Sequence, residues 1–381
     1  MSARLPRLGI VGGGQLARML LQESSKLSLH VSVLDPDPAC PAAPLAQRFI
    51  KGGFHDAMAI RTLAEGCGVL TYDLEHVDTA VLESLQGPGL KVYPSPASMA
   101  LVQDKLVQRR TQAAAGLPVP EFCAVEGSLE EALEAFGYPA VQKARRHGYD
   151  GKGVAILRGP GDLENALPAE DSMLERCVDL QAELAVMVAR SPLGEVRAYP
   201  AVRMVMDPRA NLLDALQVPA GLPAALESDA RTLALRTAEA FGLVGVAGVE
   251  LFLDVQGRLL VNEIAPRPHN SGHYTIEACA SSQYSQHLRA ILGLPLGDAR
   301  LLSPAATVNL LGSTLGSGPA RVDGLPGALS VPGAHVHLYG KAQTRPFRKM
   351  GHVTALAESA AIALERALKA RDALRIVPEG T

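Results

Sequence analysis

The stretch Gly248–His273, with the sequence GVELFLDVQGRLLVNEIAPRPHNSGH, decides how the rest of the chain is interpreted. Its first half contains two segments with strand-like patterns, Val249–Asp254 and Arg258–Glu263. Between them, Gln256-Gly257 has the composition of a two-residue hairpin turn. The stretch therefore predicts a β-hairpin that is followed by a polar loop.

The predicted hairpin brings two acidic side chains together. With a two-residue turn, Val255 faces Arg258 and Glu250 faces Glu263, and directly opposed side chains lie about 4.5–5.5 Å apart at Cβ. Two carboxylates at that distance repel each other, so we expect a cation between them. A hard divalent ion fits, and Mg²⁺ usually shares such a site with substrate phosphates. The alternative is a solvated hairpin whose acids face water. Further polar side chains in the same stretch weigh against that alternative, namely Asn262, Arg267, His269, Asn270 and His273.

Composition narrows the class of protein. A chain of 381 residues with 48% hydrophobic residues has room for two or three domains with large cores. The net charge of −3 argues against a nucleic-acid-binding surface and for small-molecule chemistry. Five widely spaced cysteines without a CxxC pair are typical of a reduced, cytoplasmic protein. The sequence has no signal-peptide pattern and no apolar run of about 18 residues, so we expect no membrane span.

The N-terminal segment has the pattern of a βαβ unit. A strand over Arg7–Val11 leads through Gly12-Gly13-Gly14 into a helix over Gln15–Ser25, and a second strand covers His30–Leu34. A glycine-rich turn at a helix N-terminus favours anions. A nicotinamide dinucleotide site is an alternative that the pattern supports weakly, because the third glycine of GxGxxG is missing.

Two loops that follow predicted strands carry candidate ligand contacts. The polar run Tyr72–His76 ends the strand Val69–Leu74 and faces either a ligand crevice or solvent. The basic, glycine-rich loop Arg145–Gly153 joins the strands Ala140–Ala144 and Val154–Leu157. Such a loop can fold over phosphates, although it lacks the Walker A pattern, and the alternative is a solvated hairpin tip.

The remaining sequence predicts helices and a basic C-terminal section. We expect one helix from Ser98 to about Ala115 and another over Thr275–Leu292. From about Leu301 the pattern predicts short strands and turns, closed by a helix over Glu358–Ala373. Cations concentrate in the segment 337–352, which suggests an anion site, with a solvated basic turn as the alternative.

Several of these segments together resemble the N5-carboxyaminoimidazole ribonucleotide synthetase family of purine biosynthesis, whose members are ATP-grasp ligases. The resemblance extends along nearly the whole chain and rests on the following segments: GIVGGGQLARML (9–20), VLDPDPACPAA (33–43), TYDLEHV (71–77), GYDGKG (148–153), GVELF (248–252), NEIAPRPHNSGH (262–273), YGK (339–341) and RKMGH (348–352).

The resemblance implies an α/β chain, α+β in its core, with an ATP-grasp fold. It implies a Rossmann-like domain at 1–97, an ATP-grasp region at 98–300 with a lid at about 118–180, and a C-terminal β-rich segment at 301–381. The implied reaction couples ATP and bicarbonate to 5-aminoimidazole ribonucleotide through carboxyphosphate, giving the N5-carboxylated product, ADP and phosphate. Mg²⁺, or alternatively Mn²⁺, is the implied cofactor, and a cytoplasmic homodimer is the implied state.

The resemblance also assigns roles to individual residues. The implied metal ligands are Glu250 and Glu263, and the implied catalytic residues are Arg267, Lys143 and Asp150. The implied ATP-binding residues are Lys105, Lys143, Gly148, Tyr149, Asp150, Gly151, Lys152, Gly153, Val154, Glu175, Arg176, Cys177, Val178, Glu183, Met206, Asn262 and Glu263. The implied ribonucleotide-binding residues are Gln15, Glu75, Tyr149, Asp150, Arg267, His269, Asn270 and Ser271, with Lys341 and Arg348 as the clamp for the 5′-phosphate.

Two departures from the family pattern concern the region where the γ-phosphate and bicarbonate meet. Met204-Val205-Met206 replaces a polar Asn-x-His stretch, and Arg146-His147 replaces small residues before the lid motif. A transferring phosphoryl group needs cationic or donor partners. We therefore hypothesise that Arg146, His147 or Arg203 supplies part of the missing contact; the alternative is that Met206 only packs.

Three other functions compete with this interpretation. The nearest is another ATP-grasp ligase, such as the formate-dependent glycinamide ribonucleotide transformylase or a biotin carboxylase-like subunit. The others are an NAD-dependent oxidoreductase and a non-catalytic nucleotide-binding protein. The incomplete GxGxxG pattern argues against the oxidoreductase, and the presence of Glu250, Glu263 and Lys143 argues against a non-catalytic protein.

Overall fold

The computed structural model describes residues 5–146, 148, 153–207 and 212–380 of the chain. Its N-terminal unit is a five-stranded parallel sheet in the order β3-β2-β1-β4-β5. The elements are β1 Leu8–Val11, α1 Gln15–Ser24, β2 Val31–Asp35, β3 Arg48–Lys51, α2 Ala57–Ala64, β4 Val69–Tyr72, α3 Thr79–Leu85 and β5 Lys91–Val92. Strands β1, β2 and β4 are buried at every position, as expected for a parallel sheet covered on both faces. The strand order reverses at β1, so the carboxyl ends of β1 and β4 border a crevice.

The predicted helix from Ser98 to about Ala115 is in fact two helices, α4 Pro96–Gln103 and α5 Lys105–Ala114. Asp104 interrupts them with an extended backbone, and its side chain accepts hydrogen bonds from the N–H groups of the second and third residues of α5. An aspartate that caps the following helix in this way competes with helix continuation. The break places Lys105 at the first position of α5.

A small four-stranded antiparallel sheet follows, in the order β6-β9-β7-β8. Its elements are β6 Phe122–Ala124, α6 Leu129–Phe136, β7 Ala140–Ala144, β8 Val154–Leu157 and β9 Ser172–Arg176. The predicted strands over Ala140–Ala144 and Val154–Leu157 are confirmed. Helix α6 begins in a capping box formed by Ser128 and Glu131.

The rest of the chain forms a nine-stranded central sheet and the elements that cover it. In chain order these elements are β10 Leu180–Arg190, β11 Val196–Ala198, β12 Val202–Asp207, β13 Leu212–Val218, α7 Ala224–Ala240, β14 Gly245–Asp254, β15 Leu259–Ala265, α8 Thr275–Ala278, α9 Gln283–Ile291, β16 Ala305–Leu311, β17 Gly318–Asp323, α10 Leu325–Leu329, β18 Ala334–Leu338, β19 Gln343–Thr344, β20 Lys349–Leu356, α11 Ala360–Ala373 and β21 Arg375–Pro378. Short 3-10 turns lie at Ser25–Leu27, Ala43–Leu45, Pro160–Asn165 and Asn270–Gly272.

The central sheet runs in the order β15-β14-β10-β12-β13-β16-β20-β18, with β11 added beside β10. The C-terminal strands therefore extend the core sheet through the pairing of β13 with β16, while β19, β17 and β21 form a separate small sheet. On β10, alternate residues such as Leu184 and Val186 pack in the core cluster that contains α7 residues. The residues between them, such as Glu183, lie on the opposite face of the sheet.

The predicted helix over Thr275–Leu292 is also divided. Helix α8 ends before Cys279, and α9 begins after Ser282, whose side chain caps it by accepting from the backbone N–H of Ser285. In the described part of the chain, no helix is both long and apolar enough to cross a membrane.

Candidate active site

The hairpin β14–β15 opposes Glu250 and Glu263, as predicted. The predicted turn, however, is wrong. Asp254 donates its backbone N–H to the carbonyl of Arg258 at 3.0 Å, and Gly257 has a φ of +80°, so three residues form the turn. This geometry is common in three-residue hairpin loops whose last residue is left-handed.

A β-bulge at Asn262 restores the predicted pairing. Leu251 pairs with Val261 and Glu250 pairs with Glu263, so Asn262 is the additional residue on β15. A bulge turns neighbouring side chains away from strict alternation. As a result, the Asn262 Nδ2 lies 3.4 Å from Glu250 Oε2, although Asn262 and Glu263 are adjacent in the chain.

The two carboxylates have different electrostatic surroundings. Burial, together with Glu263 and Glu183, raises the pKa of Glu250 to about 7. Burial also opposes ionisation of Glu263, but the Lys105 ammonium, 3.0 Å from Glu263 Oε2, holds the pKa of this carboxyl below its usual value. The pair therefore attracts cations, and among the described residues Lys105 forms an ion pair with Glu263.

A buried carboxylate holds a second lysine beside this pair. Glu175 is 3% exposed, and its oxygens lie 2.8 Å from Lys143 Nζ and 2.7 Å from Arg109 Nη2. Burial opposes ionisation of Glu175, but the two cations hold its pKa below the usual value. Lys143 also donates to Asn262 Oδ1 at 3.3 Å, so its ammonium is fixed next to the hairpin. Burial lowers the pKa of Lys143 although Glu175 opposes this effect.

A cleft of about 490 Å³ joins the N-terminal unit, the small sheet and the central sheet. Many predicted site residues form its wall: Gln15, Glu75, Lys105, Gly148, Val154, Met206, Glu250, Glu263, Arg267, His269 and Asn270. Glu183 lies on the same face of the central sheet, opposite Met204, and burial raises its pKa. The predicted contacts Tyr149, Asp150, Gly151 and Lys152, and also His147, lie outside the described residues.

The segment Glu175–Val178, which the resemblance implies is part of the ATP site, presents its side chains in different directions. Glu175 points inward to Lys143, as described above. The guanidinium of Arg176 instead lies over the Phe136 ring at 4.4 Å and 3.1 Å from Glu121, on the outer side of the small sheet. Cys177 and Val178 follow the end of β9 and are partly buried. The side chains of Glu175 and Arg176 are therefore both engaged by other groups of the protein.

The glycine turn of the N-terminal unit is already bound to carboxylates of the protein. Gly13 N–H donates to Asp35 at 2.8 Å and Gly14 N–H donates to Asp73 at 2.6 Å. Burial raises the pKa of Asp73 to about 6, despite the opposing effect of Arg267. These contacts occupy the amides that a dinucleotide pyrophosphate would need, so the structure argues against the nicotinamide alternative.

Arg267 connects the loop after β15 to the N-terminal unit. Its Nη2 lies 2.8 Å from Glu75 Oε1, so two predicted ribonucleotide contacts form one ion pair across the cleft. Ser271 is buried behind this loop, and its hydroxyl lies 2.9 Å from His269 Nδ1.

The C-terminal basic segment contributes a cleft residue that the sequence analysis missed. Lys349 lies on the cleft wall with Met204 and Met206, whereas Lys341 Nζ donates to the Lys349 carbonyl at 2.7 Å. Arg348 donates to the carbonyl of Gln343 at 2.6 Å. The segment RKMGH showed that cations cluster here, but the sequence did not show which of them faces the cleft. In the structure it is Lys349, the first residue of β20.

The structure contradicts one of the contacts hypothesised near Met206. Arg203 pairs with Leu184, whose side chain lies in the core cluster under α7, and its Nε donates to the Ala220 carbonyl at 3.2 Å. Arg203 therefore points away from the cleft, because neighbouring strand residues face opposite sides. Arg146 is largely exposed, with its Nη2 3.4 Å from Asp104. Lys349 is a cation in the same cleft lining as Met204 and Met206.

Comparisons with known proteins show matches along most of the chain. Family models match a ribonucleotide synthetase preATP-grasp domain at residues 5–103, an ATP-grasp domain at 110–284 and a phosphoribosylaminoimidazole carboxylase C-terminal domain at 305–366. The N5-carboxyaminoimidazole ribonucleotide synthase of Synechococcus elongatus is 42% identical over 375 residues, covering 96% of this chain and 93% of that protein.

Solved structures show the same similarity. The crystal structure of N5-carboxyaminoimidazole ribonucleotide synthetase from Thermotoga maritima has a TM-score of 0.91 and 45% identity, and the match covers 98% of this chain and 100% of that chain. The synthase from Aspergillus clavatus, in complex with ADP and 5-aminoimidazole ribonucleotide, has a TM-score of 0.88 and 34% identity, covering 97% and 98%.

Proposed function

Because the chain belongs to the N5-carboxyaminoimidazole ribonucleotide synthase family, we propose that its cleft carboxylates 5-aminoimidazole ribonucleotide with bicarbonate at the expense of ATP. The fold is an ATP-grasp fold with a preATP-grasp N-terminal domain and a C-terminal β-rich segment, as the resemblance implied. One observation supports the proposal most: Glu250 and Glu263 face each other beside Lys105, where the N-terminal sheet, the small four-stranded sheet and the central sheet border the cleft.

The opposed carboxylates fit a divalent cation. Their oxygens are the ligands that Mg²⁺ prefers, and burial, with the neighbouring Glu263 and Glu183, raises the pKa of Glu250, so a bound cation would stabilise its ionised form. Among the described residues, no group of three or more His, Cys, Asp or Glu side chains converges on a metal position, so substrate phosphates would complete the ligand set. When bound, Mg²⁺, or alternatively Mn²⁺, would neutralise charge on the transferring phosphoryl group.

In the proposed reaction, Lys105 and Lys143 hold the phosphates of ATP in place. Phosphoryl transfer depends mainly on positioning and on charge stabilisation, and Lys143 is held in position by Glu175 and Asn262. A bicarbonate oxygen attacks the γ-phosphorus, ADP leaves, and carboxyphosphate forms. We assign the loop around Gly148 and Val154 to closing the cleft, because carboxyphosphate reacts with water. Adenine and ribose contacts are assigned to Glu175–Val178 and Glu183.

The second step takes place on the side of the cleft formed by the N-terminal unit. The exocyclic amine of the ribonucleotide attacks the carboxyl carbon of carboxyphosphate, phosphate leaves, and the nitrogen loses a proton. We assign orientation of the ribonucleotide to Glu75 and Arg267, whose ion pair crosses the cleft, together with His269 and Asn270 on its wall. Lys341 and Arg348 would bind the 5′-phosphate. Gln15, Ser271 and the lid residues Tyr149 and Asp150 complete the proposed site.

We extend the proposal to the state of the protein in the cell. The five cysteines are free, which agrees with a reducing compartment such as the cytoplasm. A homodimer is expected from the family, and light scattering on the purified protein tests it.

The reaction is tested by measuring ADP release with each candidate amine. We expect rapid ADP release only when 5-aminoimidazole ribonucleotide and bicarbonate are both present, and stoichiometric formation of the carboxylated product. Glycinamide ribonucleotide with formate serves as the matched alternative substrate pair. Faster turnover with that pair, or turnover that does not depend on bicarbonate, would show that the assigned reaction is wrong.

A further inference from the structure

A buried glutamine, Gln283, forms two hydrogen bonds with the backbone of the proposed substrate-binding residue His269. Gln283, the first residue of α9, is fully buried. The N–H of His269 donates to Gln283 Oε1 at 2.8 Å, and Gln283 Nε2 donates to the His269 carbonyl at 2.8 Å. The two hydrogen bonds resemble one rung of a β-ladder, so they hold His269 in one backbone conformation within an otherwise irregular loop.

The same amide also faces the ring of a second histidine, His273. Because Oε1 accepts from His269 N–H, the atom 3.3 Å from His273 Nδ1 is the donor Nε2. The Tyr284 hydroxyl lies 3.2 Å from the same Nδ1, so two groups that can donate face this nitrogen, and the arrangement favours an unprotonated Nδ1. The proton of the neutral ring is then on Nε2, which has no hydrogen-bond partner among the described residues. Burial, with the nearby His337, His269 and Lys349, keeps the pKa of His273 well below its usual value.

Stacked rings hold His273 in this orientation. Its ring lies 4.4 Å from that of His352, and His352 lies 4.4 Å from His337 on its other face. His337 Nε2 lies 2.7 Å from Glu277 Oε1, and the Tyr339 hydroxyl lies 3.0 Å from His352 Nδ1. The stack joins β18 and β20 of the C-terminal segment to the loop that carries His269.

The two hydrogen bonds from Gln283 to the His269 backbone determine where the His269 ring lies. Its Nδ1 lies 2.9 Å from Ser271 Oγ, and its Nε2 lies 3.8 Å from Glu250 Oε1. The ring also depends on close approach to β14, because a Cβ at Gly248 would lie 2.8 Å from His269 Cβ. A shift of the His269 backbone therefore moves its imidazole relative to the carboxylate pair.

We propose that Gln283 and His273 are positioning residues for the ligase reaction, which lock the backbone of His269 so that its imidazole stands beside Glu250. This inference rests on the proposed function of the cleft, in which His269 contacts the ribonucleotide. It requires that Gln283 keeps a donor toward both the His269 carbonyl and His273 Nδ1.

The chain contains a matched control for testing this role. Gln286, also fully buried on α9, makes the same pair of bonds to Gly297: its Nε2 donates to the Gly297 carbonyl and its Oε1 accepts from the Gly297 N–H, both at 2.7 Å. The substitutions Gln283→Glu and Gln286→Glu are isosteric and each remove one such donor. A structural effect alone would act on both variants, whereas an effect on positioning would follow only from Gln283→Glu.

The experiment compares the kinetics and thermal stability of wild type and the two variants. We expect both variants to lose similar thermal stability, and only Gln283→Glu to lose about tenfold or more in kcat/KM for the ribonucleotide. Its KM for ATP should stay within about twofold of wild type. In ¹⁵N spectra of histidine-labelled protein, His273 Nδ1 should change from unprotonated to protonated in Gln283→Glu. Equal kinetic losses in the two variants, or wild-type kinetics in Gln283→Glu, overturn the inference.

A second pair of variants keeps the test valid if Gln283→Glu does not fold. Asn at position 273 offers a carbonyl oxygen in place of Nδ1, whereas Leu offers no acceptor. We expect His273→Asn to retain kcat/KM for the ribonucleotide within about threefold and His273→Leu to lose about tenfold. Identical losses overturn the positioning role. A wild-type enzyme without ribonucleotide-dependent ADP release would instead refute the proposed function itself.

Discussion

Replacing Glu263 with Gln tests the assignment of the carboxylate pair most directly. The substitution keeps the shape of the side chain, so the hairpin and the bulge at Asn262 should remain. It removes one of two opposed negative charges, and it also removes the ionic partner that lies 3.0 Å from Lys105 Nζ. With Lys105 counted, the formal charge of Glu250, Glu263 and Lys105 rises from −1 to 0, which weakens the attraction for a divalent cation.

We expect Glu263→Gln to lower kcat by about 10²-fold or more, equivalent to about 2.7 kcal/mol of transition-state stabilisation. The assay is ADP release at saturating ATP, ribonucleotide and bicarbonate, repeated over a Mg²⁺ titration in which the variant should need more metal. Glu239→Gln makes the same chemical change on an exposed position of α7 and serves as the control. A folded Glu263→Gln protein with wild-type turnover and metal dependence would refute the assignment.

Four further predictions follow from the described contacts. Lys341→Ala and Arg348→Ala should each weaken ribonucleotide binding by about 1.5–3 kcal/mol and leave ATP affinity nearly intact, as measured by calorimetric titration; equal losses for both ligands would show that the clamp is misassigned. Lys349→Met should raise the KM for bicarbonate or lower kcat by about tenfold, because it removes a cation from the cleft wall, and unchanged steady-state constants would exclude this role. Glu175→Leu should lower the free energy of unfolding by about 3–5 kcal/mol, because it leaves two buried cations unpaired, and a denaturation curve like that of wild type would contradict this expectation. Burial raises the pKa of Asp73 to about 6, so the folded state binds this proton more tightly than the unfolded state, and stability is lost as the pH rises from about 4 to about 6. Thermal scans should therefore show that Asp73→Asn loses less stability over this pH range than wild type does, by at most about 3 kcal/mol.

Local pattern was sufficient for the first βαβ segment of the N-terminal unit. The predicted strands over Arg7–Val11 and His30–Leu34 lie within one residue of β1 and β2, because short apolar segments bounded by glycine or aspartate leave few alternatives. The two predicted helices that proved to be divided, at Asp104 and at 279–282, were misjudged for a common reason. Asp104 and Ser282 each cap the helix that follows them. A capping side chain interrupts a longer helix where tertiary packing requires the next helix to run in a different direction, and local sequence does not show that direction.

The sequence pattern could not predict which strands that are distant in the chain pair with each other. The basic C-terminal segment predicted an anion site, but nothing in its pattern showed that β16 would pair with β13 and extend the core sheet. That pairing determines that Lys349 reaches the cleft wall and that His352 stacks on His273. The same limit applies to Gln283, because a buried glutamine in an amphipathic helix has no sequence pattern that separates a structural role from a positioning one.

The carboxylate pair shows how a correct prediction can rest on an incorrect register. A two-residue turn was assumed where three residues turn the chain, and the three-residue turn alone would have placed Glu250 opposite Asn262. The bulge at Asn262 adds one residue to β15 and restores the opposition of Glu250 and Glu263. In a regular hairpin, Asn262 and Glu263 would face opposite sides of the sheet, and only one of them would reach the cleft. The bulge brings both beside Glu250, with Asn262 between Glu250 and Lys143. The irregularity that sequence patterns cannot show is therefore the feature that assembles acid, amide and cation in one place, as bulges near active sites commonly do.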